Sequence, residues 1–419
     1  MCMMFRSPAK AQTIELDRIK TNALRVAFKV SCIMTPAARV AAGIAVLDEI
    51  NAGEPAEKVL TRWGRQNRYA GSKDRAAVRD LVYDVLRVRR SAAYFGGGTS
   101  GRHLMIGLLR LRGNDPETMF TGEGHAPAQL STQEASLPAM SEPKASQWNL
   151  PDWLMPEFER SLEDSAARTA RALQSRAPVT LRVNSTKIDR TTAIQSLEHD
   201  GITAGINPLS PTALTVTSGE RRIKQSKAYL SGQVELQDAA SQAVVDILPE
   251  ATKCLDYCAG GGGKALAIAA RFGTTVHAHD VAPQRMSDIP NRAKRAGAKI
   301  ECLTGSQLSE RAPYDLVLCD APCSGSGAWR RSPEGKWALT KKQLADLMDI
   351  QGAILDRAAQ YVKPGGWLVY ATCSVLRCEN EDRVSNFLEK NRNWHSPLHQ
   401  RFDVTPDGDG FFTAHLTIA

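Results

Sequence analysis

The chain has 419 residues, too many for one ordinary hydrophobic core, so two or three domains are expected. Its apolar content of 42% is that of a globular protein, and no run of 18 or more apolar residues is present to serve as a membrane span. Nine scattered cysteines without a CxxC pair argue against a disulfide scaffold and a structural metal, and the net charge of +8 suits a polyanionic partner.

Residues 1–34 carry no amphipathic period and no apolar stretch of the kind a secretory leader needs, so a flexible extension and a cytoplasmic location are expected. From Pro36 to about Leu111 apolar residues recur at spacings of three and four, which predicts helices over PAARVAAGIAVLDEI and DRAAVRDLVYDVLRVRRSAAYF, with Asp74 at a helix start. Fourteen Lys and Arg face seven Asp and Glu between residues 36 and 112. A solvated basic face and an RNA-contacting one fit that surplus equally. Residues 113–147, rich in Gly, Pro, Ser and Thr, read as a linker with little structure. Around Trp148 hydrophobic order returns as a turn, a helix, and short strands at VTLRVNSTK and ALTVTSG, a small α+β module.

From Gln237 onward helices alternate with short apolar strands at 254–258, 275–280, 300–303, 315–320 and 367–373, with helices starting near Gly263, Pro283 and Lys341. Such alternation predicts a doubly wound, mostly parallel sheet covered on both faces. Ligands of such sheets bind at the carboxyl ends of the strands. The first strand runs into Cys258-Ala-Gly-Gly-Gly-Gly-Lys264, a turn whose glycines let backbone approach a ligand at a helix N-terminus. It is not a P-loop, because Cys258 and Ala265 occupy positions that must be Gly and Ser or Thr. Asp280, 24 residues after Asp256, ends the second strand and suits the hydroxyls of a ribose. Together the two features predict an adenosine-containing cofactor without separating a dinucleotide from S-adenosylmethionine.

Asp320-Ala-Pro-Cys-Ser-Gly-Ser-Gly327 follows the fourth strand, and Ala-Thr-Cys-Ser374 the fifth. Single cysteines are mostly inert core residues, which suits Cys254, Cys302 and Cys319 inside strands. Two thiols at adjacent strand ends are better suited to chemistry. Carbon 5 of cytosine is a poor nucleophile, and a thiolate adding to carbon 6 makes it electron-rich enough to take a methyl group. Asp320 can meet the N3 and N4 edge of the base. Arg330, Arg331 and Lys336, with Trp337 among them, could hold phosphates and stack a base, or could equally form a charged face over core tryptophans.

These motifs resemble the RsmB/NOP2/Sun family of RNA 5-methylcytosine methyltransferases, from about Trp148 to the C-terminus. The family's Cys-Ala-Ala-Pro-Gly-Gly-Lys reads here with Gly260 and Gly261 in place of Ala and Pro, and the Asp it carries after the third strand is replaced by Gly305-Ser306. Arg182-Val-Asn184, Gln237-Asp-Ala-Ala-Ser241 and Asp409-Gly-Phe-Phe412 are also similar to family segments. The resemblance implies a Rossmann-like class I methyltransferase domain at 236–419, preceded by the α+β module at 148–235. The linker at 113–147 and an all-α NusB-like RNA-binding domain at 35–112 complete the expected order. It implies S-adenosylmethionine held by Cys258, Ala259, Gly260, Gly261, Gly262, Gly263, Lys264, Asp280, Ser306 and Asp320. It also implies Cys373 as nucleophile, Cys323 as the thiol that helps release product, Asp320 as the base-side acid, and a monomer acting on small-subunit ribosomal RNA. The competing readings are a non-catalytic ribosome-assembly factor that keeps the fold, and an enzyme for uracil or protein.

Overall fold

The computed structural model describes residues 34–136 and 141–418, so the expected N-terminal extension, Met34 excepted, lies outside the described residues. The chain divides into two compact units, one ending at Gln147 and the other starting at Trp148.

Among its described residues the first unit holds five helices of eight residues or more, α1 (Pro36–Asn51), α2 (Ala56–Gln66), α3 (Ser72–Arg87), α4 (Arg89–Gly96) and α5 (Gly101–Leu111), and two single helical turns at Thr132–Ala135 and Lys144–Gln147. The Thr35 side chain caps α1 by accepting from the Ala38 amide at 3.1 Å. Val78, Val82 and Val85 recur every three to four residues on α3 and are fully buried, so the apolar stripe read from the sequence is the face that packs inward. Asp74 sits inside the first turn of α3, where it accepts from the Gly71 amide at 3.2 Å and pairs with Arg39 of α1 at 2.8 Å. The described parts of 113–147, a segment expected to be a linker with little structure, are instead tied to α4 and α5. Arg102 pairs with Glu134 at 2.6 Å and donates to the carbonyls of Ala128 and Gln129, while Ser91 donates to Glu142 at 2.5 Å. These side chains supply donors that a stretch poor in apolar residues needs in order to stay in place.

The second unit opens with two short helices, α6 (Met155–Leu162) and α7 (Ala166–Ala172). A four-stranded antiparallel sheet follows in the order β2-β3-β1-β4, made of β1 (Val179–Val183), β2 (Thr203–Ile206), β3 (Ala213–Ser218) and β4 (Val234–Leu236), with α8 (Arg190–His199) packed on it. Asn184 fastens this module to the next layer by donating to the carbonyls of Gly232 and Ala296.

The larger sheet has seven strands: β5 (Cys254–Asp256), β6 (Val276–Ala278), β7 (Ile300–Cys302), β8 (Tyr314–Asp320), β9 (Val362–Thr372), β10 (Trp394–Phe402) and β11 (Phe411–Ile418). Their order is β10-β11-β9-β8-β5-β6-β7, parallel from β9 through β7, with β11 inserted antiparallel between β9 and β10. This is the doubly wound, mostly parallel sheet that alternation predicted. Side chains of β8 alternate between two cores. Leu316 and Leu318 pack with α9 (Ala239–Asp246) and α10 (Gly263–Phe272), whereas Val317 and Cys319 pack with α13 (Lys341–Ala358) and α14 (Glu381–Lys390). Between these lie α11 (Ile289–Ala296), which the sequence placed from Pro283, and α12 (Gly305–Arg311). Cys254 and Cys319 are buried as expected, but Cys302 is exposed, because β7 is the edge strand and has a neighbour on one side only.

Candidate active site

The carboxyl ends of β5, β6, β8 and β9 open on a cleft of about 1100 Å³. β5 ends at Asp256, and the chain turns sharply from Tyr257 into α10. The turn is closed by the Gly262 amide on the Ala259 carbonyl at 2.8 Å, with Gly260 at φ +49° and Gly262 at φ +79°. At Gly262 a β-carbon would also stand 2.7 Å from Cγ1 of Ile289, so the position tolerates no side chain on two counts.

Asp280, just beyond β6, is almost wholly buried and holds that turn in place. One carboxylate oxygen accepts from the Gly260 amide at 2.9 Å and the other from the Ala282 amide at 2.9 Å, while Arg285 pairs with it at 3.2 Å. Arg292 of α11 donates to the Gly261 carbonyl and pairs with Glu235 of β4 at 3.0 Å, so the small module reaches the glycine turn through one arginine.

Lys264, in the first turn of α10, is buried, with its Nζ 2.7 Å from Oδ2 of Asp320 at the end of β8 and 5.1 Å above the Phe411 ring. Burial alone would lower the pKa of its ammonium, but the Asp320 carboxylate outweighs that and raises it. Beneath them Asp256 is 1% exposed, and its carboxylate makes no well-formed hydrogen bond, only a weak interaction with the Ala265 amide. Burial, reinforced by Asp320, pushes its carboxyl up to about 7, although Lys264 draws it down.

Past β8 and β9 the chain delivers the two thiols. Sγ of Cys323 lies 3.4 Å from Sγ of Cys373, both half-buried. Backbone bonds align the loops, Ala321 on Ala371 at 2.9 Å and Gly327 on Cys373 at 2.9 Å. Gly410 then donates to Gly327 at 3.0 Å, an approach that a β-carbon on Gly327 would block at 2.1 Å. The hydrogen bond with Cys373, burial and the nearby Glu379 together push the Cys323 thiol well above its ordinary range.

Of the residues the sequence singled out, Cys258, Ala259, Gly260, Gly261, Gly263 and Lys264 line the cleft, as do Asp280, Asp320, Cys323 and Cys373. Gly262 shapes the turn from outside the lining. Ser306 is exposed, bonded to Thr304 at 3.1 Å, and outside the lining too; its neighbour Gly305, the first residue of α12, is the lining residue. The expected phosphate-holding cations are placed otherwise. Arg330 is 1% exposed and paired with Asp409 at 2.6 Å, Arg331 is held between Asp238 and Asp409, and Lys336 is buried with its Nζ 4.9 Å from the Trp337 ring. Arg330 and Lys336 are thus withdrawn from the surface, and the charge on Arg331 is already met twice. Sequence reasoning missed Asp256 as a buried acid, Arg292, Gln351 and Glu379. Only Asp256 had a signal, its place at the end of the first strand.

Comparison with known proteins agrees with this arrangement. Residues 244–417 match the model of the 16S rRNA methyltransferase RsmB/F family, and residues 150–221 match the ferredoxin-like domain of RsmF/B-like methyltransferases. The ribosomal RNA small subunit methyltransferase B of Cronobacter sakazakii is 32% identical over 304 residues, covering 69% of this chain and 71% of that protein. Its counterpart from Klebsiella pneumoniae is 32% identical over 302 residues, covering 68% and 69%. The chain belongs to the RsmB/F methyltransferase family. The RsmB/F fold extends to solved structures of lower identity. The crystal structure of PH0851 superposes with a TM-score of 0.72 at 22% identity, covering 92% of this chain and 99% of that one. That of NSun6 from Pyrococcus horikoshii with SFG gives 0.55 at 20%, covering 64% and 98%. The seven-stranded sheet of this RsmB/F chain is thus the Rossmann-like methyltransferase sheet. Among the described residues no helix is long and apolar enough to cross a membrane.

Proposed function

We propose that this RsmB/F chain methylates carbon 5 of a cytosine in ribosomal RNA, with S-adenosylmethionine as donor and Cys373 as nucleophile. The observation that carries the reading is the thiol pair, 3.4 Å apart in the same cleft as the Lys264–Asp320 ion pair and the glycine turn. Transfer to an amine or hydroxyl would use no thiol, and two of them side by side suit covalent addition and its reversal.

The residues present fit S-adenosylmethionine. Asp280 offers a carboxylate beside the cleft for a ribose, the glycine turn offers backbone at a helix N-terminus, and Asp256, buried close to Lys264 and Asp320, adds negative charge when ionised. When bound, it supplies an electrophilic methyl group.

The protein's own groups do the remaining work. Cys373, as thiolate, adds to carbon 6 of a base drawn out of its stack. Lys264 and Asp320 meet the charge that builds on the ring as that bond forms, in a half-enclosed cleft where such an interaction is strengthened. Cys323 lies one sulfur contact from Cys373, placed to take part in removal of the carbon 5 proton, after which the carbon 6–sulfur bond breaks and Cys373 is restored. On the first unit Arg65 at the end of α2, Arg68 and Tyr69 in the turn after it and Lys73 at the start of α3 are exposed, a basic and aromatic surface suited to RNA.

Bisulfite sequencing of ribosomal RNA from cells with and without this protein tests the proposal. The expected result is a single 5-methylcytosine lost with the protein and restored by it. Unchanged methylation would instead favour a non-catalytic assembly factor with a methyltransferase fold.

A further inference from the structure

Cys323 and Cys373 sit on loops leaving different strands, and their 3.4 Å separation has no covalent support. One buried carboxylate reaches both loops. Glu379 has no exposed surface. Its Oε1 accepts from the Ser324 amide at 2.7 Å and from Gln351 at 3.1 Å, and its Oε2 accepts from the Ser374 hydroxyl at 2.5 Å and from the Ser324 hydroxyl. Ser324 follows the first thiol and Ser374 the second. Gln351 also donates to the Pro322 carbonyl at 2.9 Å, just before Cys323. Asn380 completes the set: it donates to the Ser374 carbonyl at 2.9 Å and accepts from Thr372, just before Cys373, at 2.6 Å. The residues on both sides of each thiol are therefore anchored, directly or through Gln351, to the dipeptide Glu379-Asn380. The Tyr370 hydroxyl pins that dipeptide to β9 through the Glu379 carbonyl at 2.6 Å.

We propose that Glu379 is the positioning residue of the thiol pair, fixing the two sulfurs at reacting separation and making them unequal. The inference rests on the two-thiol reading above. Four donors converge on its oxygens, an environment that suits the acceptor-only group and offsets its burial. Two of its four hydrogen bonds come from Ser324, beside Cys323, and one from Ser374, beside Cys373. Its charge is one of the causes that push the Cys323 thiol up, after the hydrogen bond to Cys373 and burial. Cys323 is thereby made a stronger proton acceptor, suited to the carbon 5 proton, and addition to the ring falls to Cys373. A spacer that only filled volume would hold the loops but would not make the two sulfurs differ.

The test compares wild type, Glu379→Gln, Glu379→Ala and Cys373→Ala. Single-turnover methyl transfer to a 16S rRNA transcript is read alongside S-adenosylmethionine affinity by calorimetry and thermal stability. Glu379→Gln keeps size and polar contacts but removes the charge. It is expected to bind S-adenosylmethionine as wild type does, to transfer methyl about 10²-fold more slowly, and to be slower still as alanine. A second measurement needs no RNA. Iodoacetamide labelling against pH, read by mass spectrometry, is expected to modify Cys373 well before Cys323 in wild type, and to narrow that gap about tenfold in Glu379→Gln, one pH unit's worth. An unchanged labelling ratio with wild-type transfer overturns the proposal, as does a loss of transfer that only follows lost thermal stability. Full activity of Cys373→Ala would overturn the two-thiol reading itself, a separate failure from wild-type behaviour of the Glu379 variants.

Discussion

Sγ of Cys323 and Sγ of Cys373 meet at 3.4 Å although 50 residues separate them in the chain. Adjacent parallel strands β8 and β9 end side by side, so each loop that leaves them carries its sulfur to the same spot. Unequal roles predict unequal losses. Cys373→Ala should give no methylated RNA and no protein–RNA adduct, while still binding S-adenosylmethionine. Cys323→Ala should slow turnover by about 10²-fold or more and accumulate a covalent adduct, seen on a denaturing gel with labelled RNA. An adduct formed by Cys373→Ala would reverse the assignment.

Arg330 separates a structural cation from an RNA contact. Its side chain is 2% exposed and that of Asp409 1%, so Arg330→Ala takes one of two arginines from a buried carboxylate that keeps Arg331. The expected cost is about 1.5–3 kcal/mol, read as a lower urea midpoint. RNA affinity of the folded fraction should be unchanged. A variant of wild-type stability with weakened RNA binding would restore the phosphate role read from the sequence.

Asp256 predicts a pH dependence. Its carboxyl is raised from an ordinary 3.8 to about 7 in the folded protein, so the folded state holds the proton more tightly than the unfolded chain. Its contribution to stability is therefore fully present below pH 3.8 and is lost as pH rises through about 7. In cofactor-free protein Asp256→Asn should remove that decline, giving a melting temperature above wild type at pH 8 and near it at pH 4. At pH 8, where the wild-type carboxyl is ionised, the same variant should bind S-adenosylmethionine more weakly.

Neighbouring glycines of the turn should respond differently. Gly262→Ala must adopt φ +79° and displace Ile289, and should cost about 1–2 kcal/mol for the left-handed backbone alone. Gly263→Ala has 3.9 Å of clearance and an ordinary helical backbone, so its stability should match wild type. Because Gly263 lines the cleft, its alanine variant should lose cofactor affinity instead, measurable by calorimetry.

The thiols and the glycine turn were legible because alternation gives the parallel sheet, and a parallel sheet puts its chemistry at strand ends. Cys323, Cys373, Asp320 and Asp280 all follow strands and all reach the cleft. What stayed hidden depends on partners distant in sequence. Arg330 reads as a surface cation until Asp409, 79 residues on, is seen to neutralise it. Ser306 seemed a substitute for a missing acid, but the lining residue is its neighbour Gly305, the first residue of α12. Glu379 gave no signal at all, since an acid after a Cys-Ser pair looks like any helix-start carboxylate, and its role appears only when Ser324 folds back to it. The segment 113–147 misled by composition, because arginines on α5 can order a polar stretch that has no apolar period of its own.

Antiparallel β11 lies between β9 and β10, and the residues just before it, Asp409 and Gly410, clasp Arg330 and Gly327 beside the thiol loops. A ribosome making this protein must therefore read almost to codon 418 before the cleft can close into its working shape. Until then the half-made molecule exposes β9 along an unpaired edge, and Arg330 and Gly327 await the partners that brace the first thiol loop.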